Sequence, residues 1–116
     1  MKVIDRKLAR DLQANFNSKF NVQPDDSNAV WFSIDAIEKF IADAKAKAMM
    51  NGRTIDGLRF YFGVYPKDNS VDQEIQGKTT LFISATNPSG SGSSQDDQDT
   101  DVMNYGGFGK PPRVSF

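Results

Sequence analysis

The sequence of 116 residues contains no cysteine and no histidine. The chain therefore cannot form a disulfide, a histidine or thiolate zinc site, a Ser-His-Asp or Cys-His nucleophilic site, or a histidine proton relay. Its 14 basic and 15 acidic side chains leave a net charge of −1, which provides no strong field for attracting nucleic acid. What remains is the chemistry of carboxylates, lysine, tyrosine, serine and the backbone.

Long apolar runs are also missing, so no signal peptide or membrane span is expected. We predict a cytoplasmic protein with no membrane partner. The length fits a single domain over residues 1–116 that buries one modest core without a metal. Neither a cofactor nor a metal ion is expected.

Two segments have helical periodicity. The first places Ile4, Leu8, Leu12 and Phe16 at intervals of four and predicts an amphipathic helix over residues 4–18. The second follows Ser33, a favourable N-cap residue, and should end near Met50 because Asn51-Gly52 favours a helix C-terminus.

Three segments have strand character. Residues 58–65 and 79–86 are rich in aromatic and branched side chains and should pair antiparallel, while the shorter segment 29–32 should run parallel to 58–65. These elements predict the α+β class: a two-layer domain with two helices packed on one face of a small mixed or antiparallel sheet, followed by an extended C-terminal tail.

Composition changes after the last of these strands. Residues 87–101 are predicted to form a flexible acidic Gly/Ser linker, and residues 102–116 an extended C-terminal segment. Within the linker, Asp97, Asp99 and Asp101 have the alternate spacing with which calcium loops begin. Val102 and Phe108 occupy the glycine and glutamate positions of such a loop, so we interpret the aspartates as a solubilising feature.

The strand over residues 58–65 has two apolar faces. Leu58, Phe60, Phe62 and Val64 alternate on the face expected to join the core. The opposite face carries the candidate binding residues, which are Arg59, Tyr61, Tyr65 and, from the next strand, Phe82. The C-terminal tail, folded back over the sheet, is expected to cover these aromatic side chains; the alternative is that a binding partner covers them.

Two segments bear a partial likeness to nucleotide or RNA sites. Residues 59–65 are similar to the aromatic strand of an RNA recognition motif, but Phe60 occupies its glycine position. Gly77-Lys78-Thr79 is similar to the end of a phosphate-binding loop, but Asp72 replaces its first glycine and a strand follows. No nucleic-acid partner is expected.

Four stretches together resemble a family of small uncharacterised bacterial proteins: AVWFSIDAIEKF at 29–40, GLRFYFGVYP at 57–66, TTLFISAT at 79–86 and YGGFGKPP at 105–112. The resemblance spans most of residues 20–113. It implies a bacterial origin and a single compact domain, and it assigns no functional residue.

The leading functional hypothesis is a non-enzymatic binding or adaptor domain whose partner is another protein or a second copy. An aromatic face without a catalytic motif favours this class. The alternatives are a small-ligand-binding protein or enzyme, with a Tyr/Arg/Asp pocket between sheet and tail, and a self-assembling structural protein.

Overall fold

The structure, a computed structural model, describes residues 1–89 and 92–104. It contains two helices and a sheet of three strands, and so confirms the predicted α+β class. In chain order the elements are α1 (Arg6–Lys19), α2 (Ile34–Met50), β1 (Gly57–Val64), a short 3-10 helix (Gln73–Ile75), β2 (Thr79–Pro88) and β3 (Ser94–Asp96).

Both helices begin at a side-chain cap. Asp5 accepts a hydrogen bond from the Leu8 amide (2.8 Å) at the start of α1, and Ser33 accepts one from the Ala36 amide (3.0 Å) at the start of α2. Helix α2 ends as predicted, because Gly52 adopts a left-handed backbone with φ of 72°. The local sequence therefore sets the limits of both helices to within two residues.

The sheet has the order β1-β2-β3 and is antiparallel. The Asp56 amide donates to the Thr86 carbonyl, and the Tyr65 amide donates to the Lys78 carbonyl, so β1 and β2 run in opposite directions. On its other edge, β2 pairs Thr86 with Asp96 of β3. Strand β2 is therefore central, and β1 lies at an edge.

The predicted strand over 29–32 is wrong. Trp31 makes only an isolated bridge, and its side chain is exposed. The Ser27 hydroxyl donates to the Ala29 carbonyl (2.6 Å), which holds the chain in a turn, and Phe32 already leads into the cap of α2. Four residues between a turn and a helix cap are too few for a strand, so the parallel crossover is absent from the described residues.

The chain divides into two compact units. The first contains Met1–Trp31 and Val64–Thr80; within it, Tyr65 is buried and its hydroxyl accepts a hydrogen bond from Thr80 (3.1 Å). The second contains Phe32–Gly63 and the described residues from 81 to 104. Its buried apolar core consists of Ala44, Ala48, Ile83 and Ala85.

The acidic segment differs from the flexible linker predicted over 87–101. Strand β2 continues through Pro88, β3 forms at 94–96, and Asp97 and Thr100 are buried. Beyond them, Met103 exchanges backbone hydrogen bonds with Ile83. The described part of this segment is thus built into the sheet edge, because pairing with β2 satisfies its backbone and Arg53 and Arg59 neutralise its carboxylates. The tail residues 105–116 lie outside the described part of the chain.

Candidate functional site

Three of the four candidate binding residues lie together in the second unit. The rings of Tyr61 and Phe82 are stacked, with centroids 4.9 Å apart and planes 10° from parallel. Arg59 lies on the same side of β1 as Tyr61, two residues away. Asp96 of β3 joins them, and we call Arg59, Tyr61, Phe82 and Asp96 the aromatic cluster.

Strand pairing places these side chains on one face of the sheet. A Cβ atom at Gly57 would lie 3.2 Å from the Thr86 hydroxyl, so Gly57 and Thr86 face the same side. Alternation along β1 then puts Arg59 and Tyr61 on that side. The pairing of Thr86 with Asp96 brings the carboxylate of β3 to the same face.

Asp96 is the polar centre of the aromatic cluster. One carboxylate oxygen accepts a hydrogen bond from Arg59 Nη1 (2.6 Å), and the other accepts one from the Tyr61 hydroxyl. Arg59 Nη2 also donates to the Ser94 carbonyl (3.0 Å). The hydrogen bond to Asp96 raises the pKa of Tyr61, so the phenol is protonated at neutral pH and is a donor rather than a base.

Tyr65 does not belong to this cluster. It lies in the first unit and is only 7% exposed, whereas Arg59, Tyr61 and Phe82 are half-buried. A side chain that is buried against its own chain has little surface for a partner. The expectation that Tyr65 contributes to an exposed binding face is therefore corrected.

The opposite side of β1 also differs from the expected core. Phe60 is 50% exposed and Phe62 is 78% exposed, and Val64 is exposed as well. On central strand β2, Ile83 and Ala85 face the side opposite Thr86 and are fully buried. The core is therefore built over β2, and Phe60 and Phe62 of edge strand β1, which lie on the same face of the sheet as Ile83 and Ala85, stay exposed.

A second polar site, missed by the sequence analysis, surrounds Asp97. Its buried carboxylate accepts hydrogen bonds from Arg53 Nε (2.8 Å) and Asn87 Nδ2 (2.8 Å). Arg53 Nη2 also lies 2.9 Å from a carboxylate oxygen of Asp99. Because Arg53 is 44 residues from Asp97, no local pattern could have indicated this pair.

The carboxylates at and after Asp97 are paired with basic side chains of the same chain. Arg53 neutralises Asp97 and Asp99, and Lys47 lies 3.9 Å from Asp101. Among the described residues, no group of three or more acidic side chains is placed to hold a metal ion. The alternate aspartates therefore have arginine and lysine partners within the chain.

The segment Gly77-Lys78-Thr79, which is similar to the end of a phosphate-binding loop, leads directly into strand β2. Gly77 has φ of 73° and its amide donates to the Tyr65 carbonyl, after which β2 begins at Thr79. The Lys78 ammonium donates to the carbonyl oxygen of Asp25. A phosphate cradle needs a helix N-terminus after the glycine, and this segment has a strand there.

No family model, curated protein or solved structure gives a significant match to the chain. The family resemblance thus stays a prediction. The structure also contains no helix, among the residues it describes, that is long and apolar enough to cross a membrane.

Proposed function

We propose that the chain is a non-enzymatic protein-binding domain that binds its partner along edge strand β1. One observation carries the proposal: Phe60 and Phe62 are 50% and 78% exposed on a strand whose one neighbour among the described residues is β2. Large apolar side chains that are exposed in a row cost free energy in water, and a partner that covers them recovers it.

An extended peptide is the kind of partner that fits such an edge. It would pair with the outer backbone N–H and C=O groups of β1, as in strand addition to a sheet. Alternate side chains of the peptide would then contact Phe60 and Phe62 on one side. On the other side they would meet the stacked Tyr61 and Phe82, with Arg59 at the polar rim.

Three carboxylates have pKa values that are shifted away from the range that acid–base catalysis needs. Donors within the chain hold the pKa of Asp97, and those of Asp56 and Asp68, below the ordinary value. A general acid or base needs a pKa near the working pH, and these carboxylates are shifted away from it. The raised pKa of Tyr61 likewise suits a hydrogen-bond donor better than a nucleophile.

Peptide selection tests this proposal. A phage library of random peptides is panned against the full chain, and a selected peptide is titrated into ¹⁵N-labelled protein. We expect the largest amide shifts in β1, and we expect the Phe60→Ser/Phe62→Ser variant to bind at least tenfold more weakly. Met50→Ser, which changes an exposed apolar residue of α2, is the matched control and should bind normally.

The result that would overturn the proposal is a selected peptide whose shifts lie away from β1 and whose affinity is unchanged in the double variant. A second arm, Tyr61→Ala/Phe82→Ala, examines the aromatic cluster. Unchanged affinity there would remove that face from the site. It would leave Phe60 and Phe62 as the contact surface.

Self-assembly is the second candidate, because an edge strand with exposed phenylalanines is equally available to another copy. Light scattering distinguishes the two candidates. A mass that rises with protein concentration, and that falls to the monomer value in Phe60→Ser/Phe62→Ser, would favour self-assembly. The small-ligand alternative depends on the tail at 105–116, which the structure does not describe.

A further inference from the structure

Helix α1 exposes an apolar stripe that nothing in the proposed function uses. Ile4, Leu8 and Leu12 are 46%, 45% and 53% exposed, and α1 contains no buried residue. Leu8 and Leu12, which are four residues apart, lie along one side of the helix, and Ile4 precedes the N-cap residue Asp5. The stripe lies in the first unit, whereas Phe60 and Phe62 lie in the second, so this inference is independent of the proposed function.

The contacts of the helix lie beside the row of Leu8 and Leu12, with Phe16 at the end of that row. The half-buried residues of the helix are Ala9, Gln13, Phe16 and Asn17. Asn17 accepts a hydrogen bond from the Asn28 side chain (3.2 Å), and Phe16 contacts Phe20 with ring centroids 4.7 Å apart. Leu8 and Leu12 therefore stay exposed, although Phe16, four residues further along the helix, is half-buried.

Charge indicates what would cover the stripe. Residues 1–20 contain five basic and two acidic side chains, a net charge of +3, whereas residues 21–116 contain nine basic and thirteen acidic, a net charge of −4. Arg6 and Arg10 project from the side roughly opposite Leu8 and Leu12. Of the two acidic residues, Asp5 caps the helix and Asp11 is paired with Lys7 (3.0 Å).

We propose that α1 binds reversibly to the surface of an anionic phospholipid bilayer. A short basic amphipathic helix with exposed aliphatic side chains is typical of segments that lie in the membrane interface. In this arrangement Ile4, Leu8 and Leu12 enter the boundary between headgroups and acyl chains. The basic side chains reach the phosphate groups, while the negative remainder of the chain is repelled and stays in water.

This proposal amends the expectation that the protein has no membrane partner. The 14 residues of α1 are too few to span a bilayer, which needs about 20, so the helix lies on the surface. Three aliphatic side chains and a small excess of positive charge hold a protein on a bilayer more weakly than two covalently attached lipid chains do. The association is therefore reversible and sensitive to salt.

Vesicle sedimentation tests the proposal with the full chain. Vesicles of equal parts phosphatidylglycerol and phosphatidylcholine are compared with vesicles of phosphatidylcholine alone. We expect partition onto the anionic vesicles to be at least tenfold stronger, and to fall at least tenfold between about 50 and 500 mM NaCl.

Two variants separate the apolar and the charged contributions. Leu8→Ser/Leu12→Ser should reduce partition at least tenfold, and Arg10→Gln should reduce it about fivefold. Met49→Ser and Lys45→Gln, both at exposed positions of α2, are the matched controls and should partition like the unchanged chain. Circular dichroism establishes that each variant keeps its helical content.

Three outcomes would overturn the proposal. The first is no sedimentation with the anionic vesicles, and the second is equal partition onto both kinds of vesicle. The third is a folded Leu8→Ser/Leu12→Ser variant that binds as well as the unchanged chain. A concentration-dependent dimer that this variant abolishes, without vesicle binding, would assign the stripe to a second copy instead.

Discussion

The Arg53 guanidinium lies against the buried carboxylate of Asp97, with Nε 2.8 Å from Oδ1. The Asp97 side chain is fully buried, while Arg53 is about one-third exposed. This pair joins the loop after α2 to the segment after β3. Since the guanidinium favours the ionised carboxylate, and Asn87 adds a hydrogen bond, the pKa of Asp97 lies far below its usual value in spite of burial.

Removing the carboxylate should destabilise the fold. In Asp97→Ala, Arg53 and Asn87 lose their shared acceptor, and we expect the free energy of unfolding to fall by about 3 kcal/mol. Urea denaturation measures this change. Asp43→Ala is the matched control, because its ion pair with Lys39 is exposed; it should cost less than about 0.5 kcal/mol. Equal losses in the two variants would contradict the structural role of Asp97.

Asp97 should also make stability depend on pH in acid. Its pKa is lower in the folded chain than the unfolded value of about 3.9, so its contribution is fully present above pH 4 and is lost as the pH falls toward the folded pKa. Urea denaturation gives the free energy of unfolding at several pH values between about 5 and 2. Over this range the free energy of unfolding should fall more steeply with falling pH in the unchanged chain than in Asp97→Asn. Parallel curves would show that Asp97 is not the titrating group.

Tyr61 should titrate differently without its carboxylate partner. The hydrogen bond to Asp96 raises the pKa of Tyr61, so Asp96→Asn should lower that pKa toward the ordinary value of about 10. The measurement follows the ring resonances of Tyr61 by NMR during an alkaline titration. A Tyr61 pKa that does not move in Asp96→Asn would mean that the two side chains are not hydrogen-bonded in solution.

Replacing a large apolar side chain by alanine should destabilise the fold much more in β2 than in β1. Ile83→Ala removes a fully buried side chain of β2 and should cost about 3 kcal/mol. Phe62→Ala removes an exposed side chain of β1 and should change the free energy of unfolding by less than about 0.5 kcal/mol. Urea denaturation of the two variants gives the comparison. A Phe62→Ala loss as large as that of Ile83→Ala would place Phe62 in a core.

Features that depend on neighbouring residues were predictable from the sequence. The cap at Ser33 and the stop at Gly52 follow from residues within one helical turn, and the structure confirms both. The strand character of residues 58–65 also rests on local side-chain preference. The error at 29–32 arose because four residues carry too little of that signal to outweigh the turn at Ser27 and the following cap.

The candidate site was predictable only in part. Alternation along β1 correctly separates Arg59 and Tyr61 from Phe60 and Phe62, because successive side chains of a strand point to opposite faces. Alternation does not say which face is covered. That depends on the position of β1 at the sheet edge, with the core formed over β2.

The sequence by itself thus determined the helices, the two long strands and the lack of histidine and thiol chemistry, since each of these depends on composition or on contacts a few residues apart. Only the tertiary structure decided that Asp96 meets Arg59 and Tyr61, that Arg53 neutralises Asp97, and that Phe60 and Phe62 stay in water. The contacts of Asp96 with Arg59 and Tyr61, and of Asp97 with Arg53, join residues at least 35 positions apart, and the exposure of the phenylalanines follows from strand order. Pairing of strands, rather than any local preference, brings such residues together.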